Sequence, residues 1–80
     1  MRIKEIQPLK DHKILVTTEE GREGIFDVSP YLKYDVFQPL QETAEFLRIV
    51  NGIYYIEWGC GADLSADTIE AGLIPALLSS

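Results

Sequence analysis

The eight residues at 58–65, Trp-Gly-Cys-Gly-Ala-Asp-Leu-Ser, constrain the fold of this chain more than any other stretch. Gly59 and Gly61 allow backbone turns that other residues resist. Asp63 and Ser65 follow them, and their side-chain oxygens are of the kind that accepts hydrogen bonds from the free amides at a helix start. The stretch therefore predicts a strand that ends in a tight turn, with a helix soon after it, and gives these four residues structural roles.

Two runs rich in β-branched and aromatic residues, 13–18 and 23–28, lie on either side of Gly21. Such runs favour strands, and Gly21 supplies the positive φ that a tight turn needs. The pattern predicts a hairpin, which a short edge strand at 2–7 precedes. The inward face of this hairpin stays open, because apolar side chains occur on both of its sides.

A second hairpin is predicted over 47–58, where Asn51-Gly52 lies between two apolar runs. This dipeptide is the strongest short signal for a hairpin turn. A two-residue turn pairs Ile49 with Tyr54. The expected core face then consists of Leu47, Ile49, Tyr54, Ile56 and Trp58, and the half-solvated face carries Arg48, Tyr55 and Glu57.

Helical segments are predicted to be short. Ser29-Pro30 is typical of a helix start, and Pro39 prevents one continuous helix through this region. A last helix is expected at 65–71, which Gly72 ends as a left-handed residue. The predicted fold class is α+β: a small, twisted, mainly antiparallel sheet of two hairpins packed against short helices.

The charge of the chain limits its partners. The chain has 80 residues, the length of a single domain, and we expect one domain at 1–80. Its thirteen acidic and seven basic residues give a net charge of −6. This charge repels a nucleic-acid backbone at long range, so no direct contact with nucleic acid is expected. A basic protein partner is compatible with the charge, and so is an acidic surface that only keeps the protein in solution.

Location and association are predicted from the apolar segments. One cysteine cannot form an internal disulfide, and the first residues lack the apolar run of a signal peptide. No stretch approaches the roughly 18 to 20 apolar residues of a membrane span. We expect a cytoplasmic protein without membrane contact.

The apolar tail at 73–78 is expected to pack partly on its own core and partly on a second copy, giving a homodimer.

Few residues carry chemistry. His12 is the only histidine, so no site with several histidine ligands is possible, and its position in a polar loop before a strand predicts an exposed side chain. Cys60 has a packing and a nucleophilic interpretation, and Asp63 either holds the amides of the turn or serves as an acid or ligand. We predict no catalytic residue and no cofactor. The candidate surface for a ligand or partner consists of Trp58, Cys60, Asp63, Tyr31 and Tyr34.

Several short motifs occur together along the chain: Glu20-Gly21, Phe26-Asp27-Val28, Phe37-Gln38-Pro39-Leu40, Phe46 and the run from Trp58 to Leu64. This combination resembles the small bacterial domain-of-unknown-function family 2442. The tryptophan-to-aspartate run is the specific part of the resemblance. The family usually has proline and asparagine where this chain has Gly59 and Cys60.

The resemblance implies a small α+β fold without an established activity, and an antitoxin-like role as one expectation. The leading hypothesis is therefore a non-catalytic protein-interaction module that holds a more basic protein. A small-ligand site at the turn from Trp58 to Asp63 is the alternative. An enzyme that uses Cys60 or Asp63 is the third hypothesis.

Overall fold

The computed structural model describes residues 1–75, which form two antiparallel sheets and several short helices. The α+β prediction is confirmed, with the two predicted hairpins in separate sheets. The first sheet has the strand order β1-β2-β3-β7. Its strands are β1 (Ile3–Pro8), β2 (Lys13–Thr18), β3 (Glu23–Asp27) and β7 (Ile74–Pro75).

The second sheet has the order β4-β5-β6. Its strands are β4 (Ile49–Asn51), β5 (Tyr55–Trp58) and β6 (Asp63–Ser65). The turn after Trp58 therefore leads into a third strand, and the helix begins only after that strand ends. The prediction that the turn leads directly to a helix omitted this strand, because three residues are too few to show a periodic pattern.

The helices are short, as predicted. The α-helices are α1 (Thr43–Phe46) and α2 (Ala66–Gly72), and 3₁₀ turns occur at Lys10–His12, Ser29–Tyr31 and Asp35–Gln41. Ser65 is the N-cap of α2, and its hydroxyl accepts a hydrogen bond from the amide of Thr68 at 3.2 Å. Gly72 does not end this helix in a left-handed conformation, since it is the last helical residue and the C-cap Leu73 is extended.

The turns that close the two sheets share one design. In the first hairpin the Gly21 amide donates to the Thr18 carbonyl at 2.9 Å, and Gly21 has a φ of 88°. In the second sheet the Gly61 amide donates to the Trp58 carbonyl at 3.0 Å, and Gly61 has a φ of 98°. A type I turn followed by a left-handed glycine is a common three-residue hairpin connection. The predicted structural role of both glycines is confirmed.

The register of β2 and β3 settles which face of the first hairpin is inward. Ile14 lies opposite Phe26, and Val16 lies opposite Gly24. These side chains face the second sheet across a single core. The buried apolar residues of that core are Ile3, Ile14, Val16, Phe26, Val28, Phe37, Leu40, Phe46, Ile56, Trp58, Ala62, Leu64, Ala66 and Ile69.

The predicted register of the second hairpin is wrong, because the turn lies two residues later and each cross-strand partner is therefore shifted by four residues. Ile49 pairs with Trp58, not with Tyr54, and the turn is at Ile53-Tyr54. The reason is that the side chain of Asn51 is used elsewhere: its Oδ1 accepts from the Ile53 amide at 2.8 Å, and its Nδ2 donates to the Ile3 carbonyl at 3.0 Å. Leu47 and Tyr54 are consequently exposed, while Ile49, Ile56 and Trp58 still face inward.

Part of the predicted association segment can be placed. Leu73 is half-buried against the core, and Ile74 is exposed in the short strand β7 beside Ile25. Leu77 and Leu78 lie outside the described residues. Within residues 1–75, no helix has the length and apolar character needed to cross a membrane.

Candidate functional site

Of the sequence-predicted site residues, Asp63 and Ser65 lie on the outer face of the second sheet, as the partners of Glu57 and Tyr55. Along β5 the buried Ile56 and Trp58 alternate with the exposed Tyr55 and Glu57. On β4, Val50 faces outward as the partner of Glu57. Val50 is 56% exposed and Tyr55 is 43% exposed. Two large apolar side chains therefore lie in solvent on a face that no other element covers in the described part of the chain.

Two carboxylates share this face. Glu57 and Asp63 are direct partners in the pairing of β5 with β6, and both are exposed. Within residues 1–75 neither forms an ion pair. Like charges directly opposite each other on neighbouring strands destabilise a sheet. A cationic group placed between them would remove this repulsion.

A groove of about 490 Å³ runs along one end of this face. The guanidinium of Arg48 lies over Gly59, where a Cβ atom would come within 3.1 Å of it. Arg48 also forms a 3.3 Å ion pair with Glu45. The groove is lined by Arg48, Ile49, Val50, Glu57, Trp58, Gly59 and Gly61.

Trp58 does not belong to an exposed recognition surface, and this prediction is wrong. Its side chain is only 2% exposed. The indole Nε1 donates to the Phe46 carbonyl at 3.0 Å, and the ring packs against Phe37 and Phe46. The tryptophan is a core residue, because alternation along β5 turns it away from the solvent-exposed face.

Asp63 is exposed, and no hydrogen bond to its carboxylate occurs among the described residues. The structural interpretation of Asp63 as an acceptor for turn or helix amides is therefore wrong. Ser65 takes that role as the N-cap of α2. The carboxylate of Asp27, at the end of β3, does hold a local amide, since it accepts from the Ser29 amide at 2.9 Å. Asp63 remains available to a partner.

Cys60 lies in the middle of the turn between β5 and β6, and not at a helix start. Its thiol is half-buried and lies 3.9 Å from the Val36 carbonyl. His12 is elsewhere in the fold: its Nε2 lies 2.8 Å from the Leu40 carbonyl, and its ring meets the edge of Phe46. The histidine is therefore not the exposed side chain that the sequence predicted. The structure does not bring this thiol and this imidazole together.

The two candidate tyrosines differ. Tyr31 is half-buried and packs against Phe26 and Phe37, with ring centroids 5.8 and 5.6 Å away. Tyr34 is 52% exposed, and the ammonium of Lys33 lies 5.3 Å from the centre of its ring. Only Tyr34 can present its ring to a partner. It belongs to a different segment from the outer face of the second sheet.

Sequence reasoning missed Val50 as a surface residue, because an apolar residue inside a strand is first assigned to the core. Strict alternation with Ile49 was the signal that could have found it. The described residues contain no group of three or more histidine, cysteine, aspartate or glutamate side chains placed to hold a metal ion.

Comparison with known proteins identifies a family for this chain. The model of a family described as "Protein of unknown function (DUF2442)" matches residues 3–75. No curated protein and no solved structure matches the chain significantly. The matched range contains every motif on which the resemblance rests.

Proposed function

We propose that this chain, which belongs to the family described as "Protein of unknown function (DUF2442)", is a non-catalytic protein-interaction module. Its proposed contact surface is the outer face of the second sheet. The observation that supports the proposal is the cross-strand pair of Glu57 and Asp63 beside the exposed Val50. An apolar patch bordered by unpaired charges is typical of a surface that binds another protein.

The proposed partner is a basic protein. A cationic side chain between Glu57 and Asp63 would relieve their repulsion, while Val50 and Tyr55 would pack against its apolar stem. The net charge of −6 would also attract such a partner at long range. An antitoxin-like role, in which the module holds a small basic toxin in a bacterial cytoplasm, is the specific form that we propose.

The proposal is tested by copurification from the source cells at low ionic strength. We compare wild type with the double variant Glu57→Lys, Asp63→Lys. Wild type should retain a basic protein that salt releases, and the variant should lose it. The matched control is Glu19→Lys, Glu42→Lys, which makes the same change of net charge at two exposed positions elsewhere. Equal retention by both double variants would contradict the proposed surface.

A small-ligand site is the second candidate, and the groove beside Arg48 favours it. Its volume of about 490 Å³ lies within the range of known ligand sites, and the guanidinium suits an anionic ligand. Native mass spectrometry of protein purified from the source cells tests this role. A small anion retained by wild type and lost from Arg48→Ala would favour it over a protein partner.

A further inference from the structure

The turn at Ile53-Tyr54 has an unusual backbone. Ile53 has a φ of 75°, and the Tyr54 amide donates to the Gly52 carbonyl two residues earlier at 2.9 Å. This φ and this bond define a γ-turn of the rare, strained kind. A β-branched residue in the left-handed region is a true outlier. Glycine would adopt the same conformation without strain.

Hydrogen bonds hold this strained turn in place. The Ile53 amide donates to Asn51 Oδ1 at 2.8 Å, and the Ile53 carbonyl accepts from the Ile3 amide at 2.8 Å. The Tyr54 carbonyl accepts from the Ala66 amide at 2.8 Å. The backbone is therefore fixed from three sides, and the turn presents its side chains in one defined arrangement.

Those side chains point away from the core. Ile53 is 42% exposed and Tyr54 is 60% exposed. Burial of these side chains in their own chain therefore does not offset the backbone strain. Strain kept at a surface position points to a function of the side chain. Preorganised aromatic and apolar groups are favourable anchors for a protein interface. We call Ile53 and Tyr54, with their neighbours Arg2 and Lys4, the tip.

The tip carries positive charge. The guanidinium of Arg2 lies 5.9 Å from the centre of the Tyr54 ring, and Lys4 is held nearby because its carbonyl accepts from Asn51 Nδ2. Within residues 1–75 neither cation forms an ion pair. The tip therefore holds two of the seven lysine and arginine residues of a chain with an excess of six acidic residues.

A complementary surface lies on the outer face of the first sheet. There Glu5 and Glu23 are the partners of Thr17 on its two sides. Leu15, in the next row, is half-buried and apolar. A pocket of about 240 Å³ is lined by Glu5, Ile6, Gln7, Leu15, Thr17 and Glu23. We call it the carboxylate pocket; in residues 1–75 neither of its acids forms an ion pair.

We propose that the occupant of the carboxylate pocket is the tip of a second copy of this chain. In a two-fold dimer each copy offers its tip to the pocket of the other, so the same contact forms twice. The Tyr54 ring packs toward Leu15, and Arg2 and Lys4 pair with Glu5 and Glu23. This dimer leaves the outer face of the second sheet uncovered.

The local charges of the two surfaces favour a second copy as the occupant, because the tip carries two cations and the carboxylate pocket carries two acids. Two chains that each carry −6 repel each other at long range. A stable contact between them must therefore set cations of one copy against acids of the other. The tip and the carboxylate pocket meet this requirement together with an apolar contact.

Charge exchange tests the dimer. The first variant is Arg2→Glu, Lys4→Glu, and the second is Glu5→Lys, Glu23→Lys. Each alone sets like charges against each other at both contacts, so we expect dimerisation to weaken on the order of a hundredfold. Mixed in equal amounts, the two variants have opposite charges at both contacts and should form a heterodimer. Sedimentation velocity measures all three samples beside wild type.

A second substitution tests the strained turn. Ile53→Gly removes the anchor and the strain together, so this variant should be monomeric and should unfold at a higher urea concentration than the monomeric variant Arg2→Glu, Lys4→Glu, which lacks the stabilisation by association as well. Leu47→Ser, at an exposed apolar position outside both surfaces, should remain dimeric. A wild type that is monomeric at micromolar concentration overturns the proposal. It is also overturned by dimers that persist in either charge variant, by a mixture that stays monomeric, or by open-ended polymers. None of these results depends on the basic partner proposed above.

Discussion

The indole Nε1 of Trp58 donates a hydrogen bond to the Phe46 carbonyl at 3.0 Å, and the two rings stack with centroids 6.1 Å apart. Phe46 is the last residue of α1, whose terminal carbonyls have no partner within the helix. The bond therefore satisfies a buried acceptor and joins β5 to the segment that covers it.

Trp58→Phe tests this bond. The phenyl ring keeps most of the apolar contact but leaves the Phe46 carbonyl unpaired in the core, which costs about 1–3 kcal/mol. We expect the free energy of unfolding in urea to fall by that amount. Tyr55→Phe, on the exposed face of the same strand, is the control and should change stability little. An unchanged Trp58→Phe variant would mean that water reaches the carbonyl.

Ser65→Ala removes the N-cap of α2. The hydroxyl accepts from the Thr68 amide at 3.2 Å, and losing such a cap costs roughly 0.5–2 kcal/mol. Urea unfolding should register this loss. Ser65→Asp keeps an acceptor at the cap and should retain most of the stability, whereas an equal loss in both variants would argue against capping.

Asp63→Asn should leave stability unchanged or raise it. The carboxylate faces Glu57 across the strand pair, and relieving a like-charge pair is worth roughly 0.2–1 kcal/mol. The stabilising effect should shrink as salt is added, because salt screens exposed charges. Urea unfolding at low and high ionic strength gives the measurement. A clear loss of stability in Asp63→Asn would restore the structural role that the sequence predicted.

Gly61→Ala should destabilise the protein more than Gly59→Ala. Gly61 has a φ of 98°, and alanine in this region costs more than the roughly 0.4–1 kcal/mol that it gains by restricting the unfolded chain. At Gly59 the new methyl group would meet only the flexible Arg48 side chain. Thermal unfolding of the two variants compares them directly, and equal midpoints would contradict the assigned turn.

Cys60 should react with iodoacetamide at neutral pH no faster than a small free thiol. It is half-buried against the Val36 carbonyl, and His12 contacts Leu40 instead. The rate for the folded protein is compared with that in urea. A faster reaction in the folded state would move the enzyme hypothesis ahead of the interaction module.

Local signals predicted the class of the fold and the strands β1 to β5, but not the short strands β6 and β7. Gly21 and Gly61 are needed where the chain takes a positive φ, and this need is visible in the sequence. Runs of β-branched residues predicted β2 and β3, and family membership was predicted from motifs spread over most of the chain. These signals depend on a few neighbouring residues each.

Long-range contacts decided the structural features that the sequence left open or predicted wrongly. Asn51 could serve as a turn residue or as a bridge between the sheets, and only the position of Ile3 makes it a bridge. The candidate site changed for the same reason: of the two positions that the sequence allowed for Trp58, core face and recognition surface, the structure shows the core, and Asp63 is an exposed strand residue.

The sequence by itself determined the turns at Gly21 and Gly61, the class of the fold and the family of the chain, because turn chemistry and strand preference act over a few residues. Only the tertiary structure decided which side of the first hairpin is buried and which acids meet across the second sheet. Register is set by pairing between distant segments, and it alone brings Glu57 beside Asp63 and fixes Ile53 in its strained turn.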